Sequence, residues 1–247
     1  MSFDVLVLGA GDTFSDRHHT TSLVLLSGGF ALGIDCPDRY RQVLREASEK
    51  SGRALTIDAI DDWLITHVHG DHMNGLEGVA FWKHFAEQKR LKLHITREVR
   101  EAIWDRRLAA PMEQLWDGEK FRAMRFEDYF DSRELSWTET NVIGPFSIRI
   151  RRTIHHVPTC SIRVECEGRT LGYSSDTAFD PGLFEFFADA NRIVHETNFG
   201  PAHTDYARLA ALPEATRARM SLVHYSDLFD VKASVIPVLT EGDLFTV

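Results

Sequence analysis

Short apolar runs closed by turn residues dominate the first third of the chain. Phe3 to Leu8 reads as a buried strand ended by Gly9-Ala10-Gly11-Asp12. Thr21 to Leu26 and Phe30 to Ile34 read as two further strands, and Ser27-Gly28-Gly29 between them is a hairpin signal. The pattern then changes from a period of two to a period near 3.6. Tyr40, Val43, Leu44 and Ala47 line one side of a predicted helix that starts in the turn of Pro37 and runs to about Lys50. Trp63 to Thr66 is a strand that delivers the chain into His67-Val68-His69-Gly70-Asp71-His72, and a helix is predicted from about Gly75 to Gln88.

Beyond the strand Leu91 to Ile95, residues 97–131 are charged and interleaved with Trp104, Leu108, Trp116, Phe121, Phe126, Tyr129 and Phe130. They read as an insert of short helices. Phe146 to Arg152, Ser161 to Cys166, Thr170 to Tyr173, Arg192 to His195 and Leu222 to His224 follow as strands, with helices at Pro181 to Ala188 and Tyr206 to Leu212. Hairpins and helical connections both occur, which predicts packed sheets flanked by helices (an α+β type of α/β class) rather than a doubly wound parallel sheet. No linker or fixed-period repeat divides the chain, so residues 1–247 are expected to form one domain.

Composition changes this picture little. With 43% hydrophobic and 26% charged residues the chain can bury a full core. The net charge of −9 gives no general attraction for nucleic acid or an anionic membrane. Cys36, Cys160 and Cys166 form no C-x-x-C pair and are odd in number, which points to reduced, packed thiols. The first residues lack a basic region and an apolar core of signal length, so a cytoplasmic enzyme is expected.

Chemistry concentrates in residues 67–72. Three imidazoles and a carboxylate follow an apolar strand within six positions, and both donor types suit zinc and similar divalent metals. His67 and His69 alternate by two, so an extended segment aims both at one ion, while Asp71 and His72 lie past the turn at Gly70 and can reach a second.

This segment resembles the H-x-H-x-D-H signature of the metallo-β-lactamase superfamily, and the resemblance extends through most of the chain. It implies an αββα four-layer sandwich carrying two divalent metal ions, with Zn2+ first and Mn2+ or Fe2+ as substitutes. Asp35, in Gly33-Ile34-Asp35, is similar to the aspartate that supports the metal loop by hydrogen bonding. Asp176 is similar to the bridging aspartate and His224 to the final histidine ligand. His155 and His156 both offer the remaining imidazole; the tRNase Z-like branch implies His155. The implied sets are His67, His69 and His155 on one ion and Asp71, His72 and His224 on the other, with Asp176 between them. Such a pair polarises the electrophile and lowers the pKa of a bridging water from about 15.7 toward about 7. Two positions depart from the family pattern: Pro37 follows Cys36, and Ser175 stands where glycine commonly precedes the aspartate.

Two further likenesses bear on the reaction. Ile193-Val194-His195-Glu196-Thr197 resembles a segment of tRNase Z-like enzymes, and His203 lies upstream of His224 like the extra active-site histidine of tRNase Z and of cyclic phosphodiesterases. The resemblance casts His203 as general acid, Glu196 as its support and Asp71 as both ligand and catalytic group; His195 reads as a packed strand residue. The implied substrate is a small or cyclic phosphodiester. Ester, lactone or thioester hydrolysis with the same metals is the alternative, and tRNA 3′ processing is a second. The acidic chain lacks the long Gly/Pro-rich arm of the tRNA nucleases, so nucleic acid is disfavoured as a partner. The 97–131 insert is expected to cover one side of the site. Relatives often pair, which leaves a homodimer open. Arg149, Arg151 and Arg152 read as the solvated face of a strand.

Overall fold

A computed structural model describes residues 2–247. Fifteen strands follow one another among the described residues. The first eight are β1 (Asp4–Gly9), β2 (Ser22–Ser27), β3 (Phe30–Ile34), β4 (Asp62–Leu64), β5 (Leu91–Ile95), β6 (Gln114–Trp116), β7 (Phe121–Ala123) and β8 (Phe130–Glu134). The remainder are β9 (Asn141–Ile143), β10 (Phe146–Arg152), β11 (Cys160–Cys166), β12 (Arg169–Tyr173), β13 (Arg192–Glu196), β14 (Met220–Val223) and β15 (Leu244–Thr246).

They form a seven-stranded sheet in the order β15-β1-β2-β3-β4-β5-β8, a six-stranded sheet in the order β14-β13-β12-β11-β10-β9, and a small β6-β7 hairpin. Both large sheets are mixed. Hairpins join β1 to β2 to β3 and β9 to β10 to β11 to β12 in antiparallel pairs, whereas β3-β4-β5-β8 and β12-β13-β14 are parallel.

Alternation of side chains across each strand assigns the layers. Val5, Val7, Leu23 and Leu25 from one sheet meet Ile148, Ile162, Val164 and Leu171 from the other in one apolar cluster, so the sheets pack face to face. Leu6, Leu8, Val24 and Leu26 point the opposite way and join Val43, Leu44, Val79 and Ala80 from the helices Tyr40–Ser51 and Leu76–Phe85. On the far side, Leu183, Phe187 and Leu209 from the helical segments after β12 and β13 cover Ile193 and Leu222. Helices, sheet, sheet and helices are therefore stacked in four layers, as the resemblance implies.

The helix containing Val43 begins at Tyr40, after Arg39 in the left-handed region at φ 56°, and not at Pro37. Pro37 is held elsewhere. The Cys36 N–H donates to the His72 carbonyl at 2.7 Å, and the Gly75 N–H donates to the Cys36 carbonyl at 2.9 Å. A Cβ on Gly75 would stand 2.0 Å from the Pro37 carbonyl oxygen, so only glycine permits this approach. Segment 36–37 thus acts as a brace under the histidine loop.

Residues 97–131 hold more than helices. Helical turns run from Arg97 to Met112, but the β6-β7 hairpin follows, and Phe130 already belongs to β8. Val99, Ile103, Leu108, Met112, Phe126 and Tyr129 face the core on the helix side of the first sheet, while Trp116 and Phe121 stay exposed on the hairpin. All three cysteines are free and buried. Among the described residues no helix is long and apolar enough to cross a membrane.

Candidate metal and catalytic site

The carboxyl ends of parallel strands in both sheets converge on one point. Asp35 follows β3, and His67 lies three residues beyond Leu64, the last residue of β4. Asp176 follows β12, Glu196 closes β13 and His224 follows β14. Carboxyl ends of parallel strands are where open α/β sheets place their ligands.

The two sheets contribute different halves. The first supplies His67, His69, Asp71 and His72, the last two on a single helical turn, Gly70–Met73. The second supplies His155, Asp176, Glu196 and His224. His155 sits in the β10–β11 connection, which is laced to the loop after β12: Thr153 Oγ1 donates to the Asp176 carbonyl at 2.8 Å and Ala178 N–H to the Ile154 carbonyl at 2.8 Å.

The ligand-type atoms of His67, His69, His155 and Asp176 lie within 4.8 Å of one another, and so do those of Asp71, His72 and His224. His69 Nδ1 is 3.2 Å from His67 Nε2 and 3.1 Å from His155 Nε2. Asp176 turns Oδ1 toward His72 Nε2 at 3.3 Å and Oδ2 toward His224 Nε2 at 3.3 Å. It thus stands between the two groups. The edge of a tetrahedron with metal–nitrogen bonds of 2.0–2.1 Å is about 3.3 Å, so these separations fit donors converging on ions. Two further observations agree. His72 Nε2 and Asp176 Oδ1 are buried without hydrogen bonds. Polar atoms in that condition require a partner. His156 lies outside both groups; its ring centroid is 6.3 Å from that of His69.

The opposite edges of His72 and His155 are occupied. His72 Nδ1 donates to Asp35 Oδ2 at 2.8 Å, and His155 Nδ1 donates to the Ala202 carbonyl at 3.1 Å. Asp35 also receives the Thr66 N–H at 2.8 Å and its hydroxyl at 2.9 Å. These bonds fix ring orientation and leave the facing nitrogen with its lone pair, the usual arrangement around metal-binding histidines.

Electrostatics point the same way. Burial pushes His67 well below the usual imidazole range and His155 down to about 4, so both are neutral donors at pH 7. Burial acts on His72 too, but Asp176, Asp71 and Asp35 outweigh it and hold His72 well above the usual range. A surplus of carboxylate around one buried point is the electrostatic condition for a cation there.

Beside the cluster, His203 Nδ1 lies 3.0 Å from Glu196 Oε1, which also accepts the Thr177 N–H at 2.8 Å. Glu196 is 1% exposed, and burial raises its carboxyl to about 7. Burial would lower His203, but the bond to Glu196 and the charges of Glu196 and Asp176 outweigh it, and the imidazole is raised. The His203 ring stacks on His224 at 5.4 Å and forms one wall of a cavity of about 350 Å³ that also meets His69, Asp71, His155 and Asp176. His195, expected as a packed strand residue, is buried and stacked on Phe184 at 5.5 Å. Arg151 and Arg152 are committed to Asp180 and Glu98, away from the cavity.

Sequence reading did not find Asp12, Phe14 and Asn198, which line the same cavity. No local signal marks them, because Gly-Ala-Gly-Asp and Thr-Asn-Phe-Gly read as ordinary turn composition.

Solved structures share the architecture. The metallo-β-lactamase fold protein YhfI from Bacillus subtilis superposes with a TM-score of 0.78 over 100% of both chains at 15% identity. A diphosphatase from the PhnP family does so with a TM-score of 0.75 over 98% of this chain and 97% of its own at 14% identity. In sequence, an anti-Pycsar protein Apyc1 from Paenibacillus sp. (strain J14) is 30% identical over 236 residues, covering 92% of this chain and 91% of that protein. The family model for the anti-Pycsar protein Apyc1 matches residues 3–236. The fold with its histidine and aspartate clusters is that of a metallo-β-lactamase-type hydrolase, and within it the chain belongs to the anti-Pycsar Apyc1 family.

Proposed function

We propose that this protein is a metal-dependent phosphodiesterase acting on a small cyclic phosphodiester, a cyclic mononucleotide in particular. In this reading His67, His69 and His155 would hold one ion and Asp71, His72 and His224 the other, with Asp176 available to both. Zn2+ is the first choice for a donor set of imidazole and carboxylate. The whole chain acts as one unit, because the ligand set is divided between the two sheets.

The observation that carries the reaction class is the pair formed by His203 and Glu196. Cleavage of an unactivated phosphodiester expels an alkoxide, which needs a proton as the bond breaks. A thiolate or an enolate departs without one. His203 presents a partly exposed imidazole to the cavity, with a buried carboxylate behind it that keeps the ring protonated and aimed. When bound, a divalent pair supplies acidified water and withdraws charge from the phosphoryl group. Asp71 and Asp176 set the charge at that point, and His203 Nε2 delivers the proton to the departing oxygen. The Thr177 N–H donates to the same Glu196 oxygen that faces His203, which holds that oxygen against the ring.

The cavity of about 350 Å³ lies at the small end of ligand pockets, which suits a mononucleotide rather than a folded RNA. The experiment is a turnover panel on one preparation of known metal content: 3′,5′- and 2′,3′-cyclic nucleotides, bis-p-nitrophenyl phosphate, a lactone and a thioester. Dominant cleavage of the cyclic nucleotides supports the reading. Dominant cleavage of the lactone or thioester overturns it while leaving the fold intact.

A further inference from the structure

The catalytic cavity opens into a second cavity of about 360 Å³, and the two share Asp12, Phe14, Asn198 and His203 as walls. The second space adds Phe199 and Leu228 together with Ser226 and Asp227, and its lining includes none of the residues proposed above to hold the two ions. Its apolar walls are left open to water: Phe14 is 85% exposed, Phe199 63% and Leu228 85%. Large apolar side chains gathered beside an active-site cleft mark a binding surface.

The two loops that carry the phenylalanines are stapled together. Asp12 Oδ1 accepts the Phe14 N–H at 3.0 Å, and Asn198 Oδ1 accepts the Phe199 N–H at 2.8 Å. The two side chains then meet, Asn198 Nδ2 donating to Asp12 Oδ2 at 2.9 Å. The Asp12 N–H donates to the Tyr225 carbonyl, just past β14, and the Asn198 N–H donates to the Thr204 carbonyl, which closes the second loop on itself. Asp12 is 3% exposed, so this bond is sheltered from competing water. The backbone beneath both rings is therefore fixed before any ligand arrives, while the ring faces remain free.

We propose that Phe14 and Phe199 form a nucleobase subsite, and that the Asp12–Asn198 bond is the positioning pair that sets their spacing. The inference rests on the phosphodiesterase reading and specifies its substrate as a nucleotide. With the phosphodiester over the metal cluster and its leaving oxygen at His203, the sugar lies along Asn198 and the base enters the second cavity. Stacking on aromatic faces is the economical way to hold a base there, since every base presents a π-face.

The test compares a 3′,5′-cyclic nucleotide with the 3′,5′-cyclic phosphate of methyl riboside, the same diester without a base. Phe14→Ala and Phe199→Ala should each raise KM for the nucleotide by about 10- to 100-fold, with kcat little changed. Kinetics on the baseless diester should not move, and Phe14→Tyr should restore the nucleotide KM. Asn198→Ala should raise the nucleotide KM by a similar factor with the nucleotide kcat and the bound metal little changed, as expected of a positioning residue. Equal losses on both diesters, or no change in KM, would overturn the subsite while leaving the phosphodiesterase reading standing. A metal-loaded wild-type enzyme that cleaves neither diester would overturn both. Sedimentation of the wild type and Phe14→Ala decides the competing occupant: a dimer that falls apart on substitution, with nucleotide KM unchanged, assigns the rim to a second copy of the chain and defeats the proposal.

Discussion

Asp35 Oδ2 and His72 Nδ1 meet at 2.8 Å with neither side chain exposed to solvent. Asp35 follows β3 directly at a φ of 60°, a left-handed conformation that costs energy for any residue bearing a Cβ, and His72 sits on the helical turn that follows His69. Their bond ties the metal loop to the first sheet and turns His72 Nε2 toward Asp176 and Asp71. Asp35→Asn should lower metal affinity by about 10- to 100-fold, the usual cost of losing an outer partner of a ligating histidine. Metal retained during dialysis against a graded chelator measures this. Unchanged retention would remove Asp35 from the design of the site.

Asp71→Ala and His69→Ala should abolish turnover and lower bound metal in the purified protein. His203→Ala should differ in kind: metal content stays at the wild-type level while turnover falls by about 10²- to 10⁴-fold. The deficit should shrink for p-nitrophenyl diesters, whose leaving group needs no proton. An equal deficit across leaving groups would make His203 a binding residue and not an acid.

The pH profile follows from the same pair. His203 acts as its protonated form, and its raised pKa keeps that form populated above the usual imidazole value. Activity should therefore hold through neutrality and fall as pH rises past the raised pKa. Glu196→Gln removes the charge that raises it, so the alkaline limb should move to lower pH. A limb that stays in place would assign it to another group.

Ser175 occupies the left-handed region at φ 51°, and its buried hydroxyl has no hydrogen-bond partner. Glycine reaches that conformation at little cost, so Ser175→Gly should stabilise the protein by about 1 kcal/mol. A denaturant midpoint that rises with unchanged slope records this, and a β-branched Ser175→Val should move it the other way.

Donors from both sheets converge, so ions bound there stabilise only the folded chain. At a free metal concentration about 100-fold above Kd the gain is about 2.7 kcal/mol. Thermal unfolding should move down on chelation, and Asp176→Asn should blunt that response. Equal Tm with and without chelator would show that the ions do not join the two halves.

Much of this site was legible in the sequence because its parts are local. His67 to His72 form one continuous segment behind an apolar strand, and Asp176 and His224 each follow a readable run of β residues. His155 and His156 could not be separated by chemistry, since both offer the same imidazole; the difference is that one ring faces His69 Nδ1 at 3.1 Å and the other lies beside it. Proline suits a first turn and so predicts a helix start at Pro37, but Cys36 bonds to His72 and Gly75 and holds Pro37 against the glycine, so the helix begins only at Tyr40. The Asp12–Asn198 bond left no trace at all, for it joins two common turn residues 186 positions apart. Aspartate and asparagine punctuate loops everywhere, and only the folded chain shows which of them meet.

The division of the site between the sheets also sets an order in time. The N-terminal sheet's histidines emerge from the ribosome together, but Asp176 follows about a hundred residues later and His224 later still. Until then the four early side chains have no opposite wall and His203 has no place beside them. On the proposed ligand set, a chain that ends before β14 lacks His224 and should not turn over substrate, however well its first sheet is formed.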